Sequence, residues 1–265
     1  MRHLLITAAV VLALSAQANA AAVRLGFDSN SLPANDDNST GLVDIGFGIS
    51  FYGLDFTQLY VNNNGNVTFD DRMLTYTPFA LNSTSRHIIA PFFADVDTRY
   101  GGTVTYGSGS VDGRSAFGVT WNTVAGYGLS TQLRNTFQLV MLDRSDRGAG
   151  QFDFEFNYDS VQWDTGTASD GVAARVGYSN GTLADGTFYE MDGSATQGAF
   201  FDSAPSALIK GRLNSNVDGR YLFTVGAGGQ VDPNPQPATV PLPASAPLLL
   251  AGAALLAALR RRPRA

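Results

Sequence analysis

Apolar and polar residues alternate with a period of two through most of this chain. Val43, Ile45, Phe47, Ile49 and Phe51 are separated by Asp44, Gly46, Gly48 and Ser50. That is the pattern of a strand with one face buried. The period recurs at Phe117, Val119 and Trp121, at Phe137, Leu139 and Met141, and at Phe152, Phe154, Phe156 and Tyr158. Shorter apolar runs at 59–61, 67–69, 104–106, 173–178 and 221–225 predict further strands. Asn62-Asn63-Asn64-Gly65 supplies residues that accept a positive φ, so 60–69 is predicted to be a hairpin. A second turn-rich segment is Asp143–Gly150. No stretch between residues 22 and 240 carries a helical period. Many short strands at near-regular spacing predict an all-β fold, a single-domain antiparallel β-sandwich over residues 24–226.

Both ends depart from that pattern. Residues 1–20 read as a signal peptide: Arg2 and His3, an apolar run from Leu4 to Leu14, then the cleavage signature Ala18-Asn19-Ala20. The cut is expected after Ala18 and Ala20, leaving a chain that begins near Ala21. Residues 227–239 contain Gly228, Gly229, Pro233, Pro235 and Pro237 and read as an extended linker. Residues 240–265 join Val240-Pro241-Leu242-Pro243-Ala244 to an apolar stretch and then to Arg260, Arg261, Arg262 and Arg264. As a helix, 240–259 would reach roughly 30 Å, one hydrocarbon core. The arginines place the C-terminus in the cytoplasm and the sandwich outside. This order of parts resembles the PEP-CTERM sorting signal in its VPLPA form. The resemblance implies an exosortase-type processing enzyme as partner, and a single-pass membrane state before processing. A permanently retained single-span anchor is the alternative.

Composition narrows the function classes. With 44% hydrophobic and only 15% charged residues, the chain is not of the disordered class. Its net charge is −6, and five of the 17 basic residues lie in the two ends. The exported part therefore sets 12 basic residues against 23 acidic ones, which argues against nucleic acid as a partner. No cysteine is present, so disulfides, thiolate zinc sites and a cysteine nucleophile are excluded. The two histidines, His3 and His87, exclude a multi-histidine metal site.

Candidate chemistry is sparse. Asp95 and Asp97 lie two apart, so in a strand both carboxylates share one face. Such a pair needs a neutralising partner. One option is calcium, which takes six to eight oxygens, with the Asp-rich loops Asn35-Asp36-Asp37-Asn38 and Asp164–Gly171 supplying more. The other is Arg99 on the same face. The loops are equally explained as turns, because Asp and Asn bond their own backbone. A Ser-His-Asp triad would have to use His87, and no serine lies in a G-x-S-x-G elbow. The two glutamates are Glu155 and Glu190, and Glu155 alternates with core Phe, which predicts a solvent-facing side chain. No catalytic residue is assigned and the chain is read as a non-enzyme. Most of the 17 Phe fall at core positions; Tyr100, Tyr106, Tyr127 and Trp163 are the candidates for an exposed sugar-stacking face.

Five blocks in order resemble the nidogen extracellular (NIDO) domain. Residues 59–69 match its "YVNxNGNVTF" hairpin, 89–99 its "IAPFWADVDTR", 135–140 its "NTFQxV", 162–166 its "QWxTG", and 174–179 its "AxAGYS". Phe93 stands where the family often has Trp. The resemblance implies a cell-surface or extracellular-matrix protein associated with cell–matrix adhesion, and brings no catalytic activity and no defined binding residues. The expected function is therefore an exported adhesion, exopolysaccharide or biofilm component, located at the cell envelope or outside the cell. Its expected partners are a matrix protein or polysaccharide. The alternative is a carbohydrate-binding module for the envelope polysaccharide.

Overall fold

A computed structural model describes residues 21–129 and 131–232. Ala18, Ala20, the Val240–Ala244 motif and Arg260–Arg262 lie outside the described residues, as do the expected signal peptide and C-terminal span. Among the described residues no helix is long and apolar enough to cross a membrane.

Among the described residues thirteen strands follow in chain order: β1 (Asn30–Leu32), β2 (Val43–Phe51), β3 (Leu54–Asn62), β4 (Asn66–Thr68), β5 (His87–Phe93), β6 (Val96–Asp97), β7 (Thr103–Val111), β8 (Arg114–Gly126), β9 (Asn135–Asp143), β10 (Phe152–Ser160), β11 (Arg175–Asn180), β12 (Phe188–Glu190) and β13 (Arg220–Val225). They form two antiparallel sheets. One runs β1-β7-β8-β9-β10-β13, with β6 added to β8; the other runs β12-β11-β5-β4-β3-β2. The all-β antiparallel expectation holds. Every strand read from the alternation is present, while β1, β5, β6 and β12 are additions.

The alternating aromatics meet between the sheets. Phe92 on β5 packs on Phe137 of β9 at 5.1 Å between ring centroids, and Phe137 stacks on Trp121 at 5.1 Å and 12°. Tyr178 on β11 meets Phe154 of β10 edge-on at 5.8 Å. Pro91 offers no N–H to the ladder, and the β5–β11 register shifts beside it, between Arg175 and Gly177. Its carbonyl instead accepts the Tyr158 hydroxyl at 2.6 Å, which ties the two sheets together.

The first sheet is covered on its other face too. Phe27 from the N-terminal segment packs with Val111, Ala116, Val140 and Leu142. Gly118 makes room for it, since a Cβ there would overlap the Phe27 ring. Arg24 grips Glu155 with two hydrogen bonds of 2.6 and 2.8 Å. This corrects the expected exposure of Glu155. The alternation places its side chain opposite the Phe core, but that outer face is roofed by the segment carrying Arg24 and Phe27, and Glu155 is 3% exposed. The stacking candidate Trp163 is likewise buried, at 2% exposure. Its indole donates to the Val124 carbonyl at 3.1 Å, because the loop after β10 folds back over the end of the core.

The predicted hairpin is present, but its turn points inward. Asn62, Asn63, Asn64 and Asn66 are all fully buried or within 1% of it. Gly65 has φ 76°, and a Cβ there would collide with the Phe92 carbonyl and press on the Phe137 ring. Both a positive φ and a closed space thus demand glycine at this position. Gly65→Ala is expected to cost on the order of 2–4 kcal/mol in urea unfolding. Gly48→Ala, where a Cβ meets nothing within 4 Å, serves as the near-neutral comparison.

Candidate functional site

The buried turn organises the one corner, among the described residues, where three acidic groups bring an oxygen each close enough to share an ion. Asn63 donates its amide to the Val96 carbonyl at 2.6 Å and also to the Asp36 carbonyl. Asn64 receives the Val96 N–H on Oδ1 at 2.9 Å and donates to Asp37 Oδ1 at 2.8 Å. Residues 35–38 are thereby pinned against the β5–β6 connection, where Asp95 sits just before β6. The result is a triangle of Asp36, Asp37 and Asp95, in which one carboxylate oxygen from each lies within 4.8 Å of the others.

Asp95 and Asp97 do not act as a pair, contrary to the shared-face expectation. Asp95 lies in the connection between β5 and β6, just after a bend at Ala94, so the alternation of a strand does not apply to it. Asp97 takes the Arg99 option: Arg99 Nε donates to Oδ1 at 2.9 Å and Nη2 to Oδ2 at 2.8 Å. Asp97 Oδ1 also caps the short turn at Thr98–Tyr100 by accepting the Arg99 N–H at 3.0 Å. Arg99 reaches on to Asp36 Oδ2 at 2.8 Å. Of the two Asp-rich loops, the first contributes two carboxylates. The second contributes Ser169, whose hydroxyl donates to Asp95 Oδ2 at 3.2 Å. Asp164 turns away and accepts the Gly198 N–H at 2.6 Å. Ser169 and the amide of Asn64 carry no sequence signal beyond turn composition. Gly166 lies flat against the Asp95 carboxylate, where a Cβ would overlap it.

Burial sets the electrostatics. Asp95 is 2% exposed, and loss of hydration, with Asp37, Asp36 and Asp97 nearby, pushes its pKa up to about 7 against the relief from Ser169. Burial, together with Asp37 and Asp97, raises Asp36 to about 6 despite Arg99. Asp37 is raised as well, chiefly by burial. Three carboxylates facing one another at this spacing can hold a shared proton or a cation of oxygen-ligand type.

The remaining sequence candidates are scattered. Tyr100 is 60% exposed, and the Arg99 guanidinium lies 5.9 Å from the ring centroids of both Tyr100 and Tyr127. Tyr106 is half-buried beside Phe117 at 6.5 Å. His87 is half-buried against the Phe56 ring at 5.9 Å.

A profile of the nidogen-like domain family matches residues 57–227. Over 234 residues, alpha-tectorin of Mus musculus is 33% identical and that of Homo sapiens 32%, covering 76% of this chain and 10% of each relative. Nidogen of Drosophila melanogaster is 28% identical over 217 residues, covering 71% of this chain and 15% of that protein. The chain thus spans about a tenth of the length of the alpha-tectorins it matches. No solved structure matches it.

Because the folded protein holds protons on Asp36 and Asp95 more tightly than the unfolded chain does, their contribution is complete below the ordinary carboxylate range. It is lost as the pH rises through about 6 to about 7. In the presence of a chelator, the free energy of urea unfolding is expected to fall between pH 5 and pH 8. Asp95→Asn is expected to flatten that slope.

Proposed function

Because the chain belongs to the nidogen-like domain family, we propose that it is a non-enzymatic surface or extracellular-matrix protein whose sandwich is displayed outside the cytoplasm. The family match over residues 57–227 carries this reading, and the similarity to alpha-tectorin and nidogen supports it. The ends of the sequence agree with it. Residues 1–20 serve as the export signal and residues 24–226 as the displayed domain; of the expected spacer 227–239, residues 227–232 pack on the domain, with Val231 in the core and the Gly229 carbonyl accepting the Tyr52 N–H at 2.8 Å, so the spacer function falls to 233–239. Residues 240–265 act as a VPLPA-type sorting signal, held in the membrane until an exosortase-type enzyme processes it. The partner is a matrix protein or an exopolysaccharide, and the role is adhesion or biofilm structure. Cell fractionation with intact-mass analysis tests this. A mature chain lacking residues 1–20 is expected in the envelope or the medium, and cytoplasmic accumulation of the uncleaved chain would overturn the proposal. A shift caused by replacing Arg260, Arg261 and Arg262 with alanine checks the sorting step separately.

A second reading rests on the exposed Tyr100. The Arg99 guanidinium, held by Asp97, lies 5.9 Å from the ring centroids of both Tyr100 and the half-buried Tyr127, and aromatic rings so grouped can stack on a sugar. Trp163 has no part in it, being buried. Binding to the producer's own polysaccharide on a glycan array is expected to drop at least about tenfold in Tyr100→Ala if this platform is the binding face.

A further inference from the structure

We propose that Asp36, Asp37 and Asp95 form a divalent-cation site, selective for a hard, oxygen-seeking ion of the calcium class, that clamps residues 35–38 to the β5–β6 connection. The inference goes beyond the adhesion reading and does not depend on it. Acidic groups alone are common on protein surfaces, and what distinguishes these is how their oxygens are used. Each carboxylate commits one oxygen to a fixed donor: Asp36 Oδ2 to Arg99, Asp37 Oδ1 to Asn64, Asp95 Oδ2 to Ser169. Each leaves the other oxygen without a hydrogen-bond donor among the described residues. Asp36 Oδ1 is completely buried in that state. Asp95 is 2% exposed and receives no N–H on its carboxylate, only the Ser169 hydroxyl. An anionic oxygen removed from water without a donor is costly, and a cation removes that cost at one stroke.

The charge count points the same way. Asp36, Asp37, Asp95 and Asp97 bring four carboxyl groups together, while Arg99 is spent on Asp97 and Asp36. The free oxygens are hard ligands, with no sulfur or imidazole among them, which favours calcium over transition metals. Three carboxylates fall short of the six to eight oxygens that calcium takes, so water fills the remaining positions. An affinity in the weak range of extracellular modules follows.

Titration calorimetry of Ca²⁺ into the chelator-stripped full chain tests the site, paired with thermal melts. One ion per chain is expected, with a Kd of about 10⁻⁵ to 10⁻³ M and a midpoint of unfolding that climbs with Ca²⁺. Asp36→Asn and Asp95→Asn are each expected to weaken binding at least about tenfold. Asp55→Asn, at an exposed position outside the triangle, is expected to bind as the parent does. The two cluster variants remove mutual repulsion and keep the side-chain shape, so circular dichroism of the metal-free proteins is expected to match the parent. A parent chain that shows neither heat nor a midpoint shift up to about 10 mM Ca²⁺ overturns the site, since that is well above the range such modules use. So does binding that persists undiminished in both cluster variants.

Discussion

The structure depends on burying a polar turn. Hairpin turns usually sit in water because their peptide groups need partners. Here Asn62 to Gly65 is driven into the gap at the end of the sandwich, and every group must be matched inside. The Trp121 indole donates to the Asn63 carbonyl at 2.9 Å, so the largest core side chain of the first sheet is anchored on the second sheet's hairpin. Asn62 donates to Asn66 and Thr68 and accepts the Met73 N–H at 2.9 Å. The Gly65 carbonyl accepts the Phe92 N–H at 3.2 Å and the Asn64 carbonyl the Ala94 N–H at 3.2 Å. An unpaired buried amide costs about 1–3 kcal/mol, so the turn tolerates only one arrangement of its neighbours. That requirement aligns β5, β6 and residues 35–38.

The acidic corner is a consequence of this alignment. Once Asn63 and Asn64 have taken the backbone of Val96 and Asp36 and the carboxylate of Asp37, the chain direction at residues 94–96 is settled. Asp95 then has nowhere to point except towards the loop that the asparagines hold in place. Arg99 pairs with Asp97 through two side-chain hydrogen bonds, and its remaining reach ends on Asp36. Repulsion among the other carboxylates is thus imposed by hydrogen bonds made elsewhere, which is how local electrostatic strain comes to be stored in a stable fold.

Much of the sandwich was legible because period-two alternation reports directly on which face of a strand meets the core. Phe152, Phe154 and Phe156 obey it, and so do Ile45, Ile49 and Phe51. The alternation fails to report what lies on the other face. Glu155 and Asp153 point away from the aromatic core as read, yet both are buried: the first under Arg24, the second between Arg144 and Arg147. The covering segment, which carries Arg24 and Phe27, has no strong period of its own. β5 was missed because Pro91 interrupts an otherwise apolar run and disguises a central strand. At the site, the sequence offered Asp95, Asp97 and both Asp-rich loops as candidates. It paired the wrong two, because spacing gives a shared face only inside a regular strand, and Asp95 lies outside one. That Asp36, 59 positions earlier, closes on Asp95 is a fact of tertiary packing carried by asparagines that read simply as turn formers.

The acidic corner and the exposed tyrosine platform are parts of one rigid piece. The Tyr127 N–H donates to the Asp95 carbonyl at 3.0 Å, and the Thr167 N–H donates back to the Tyr127 carbonyl at 3.0 Å. Arg99 lies over Tyr100 and Tyr127 while holding Asp97 and Asp36. A ligand that draws Arg99 or Tyr127 toward itself therefore changes the field and the backbone around Asp95. A charge placed among the aspartates changes how firmly Arg99 is held. Linkage requires the effect to be mutual: whatever factor a cation contributes to binding at the tyrosines, that binding returns to the cation. Such coupling would need no moving part beyond one arginine and the loop it ties down.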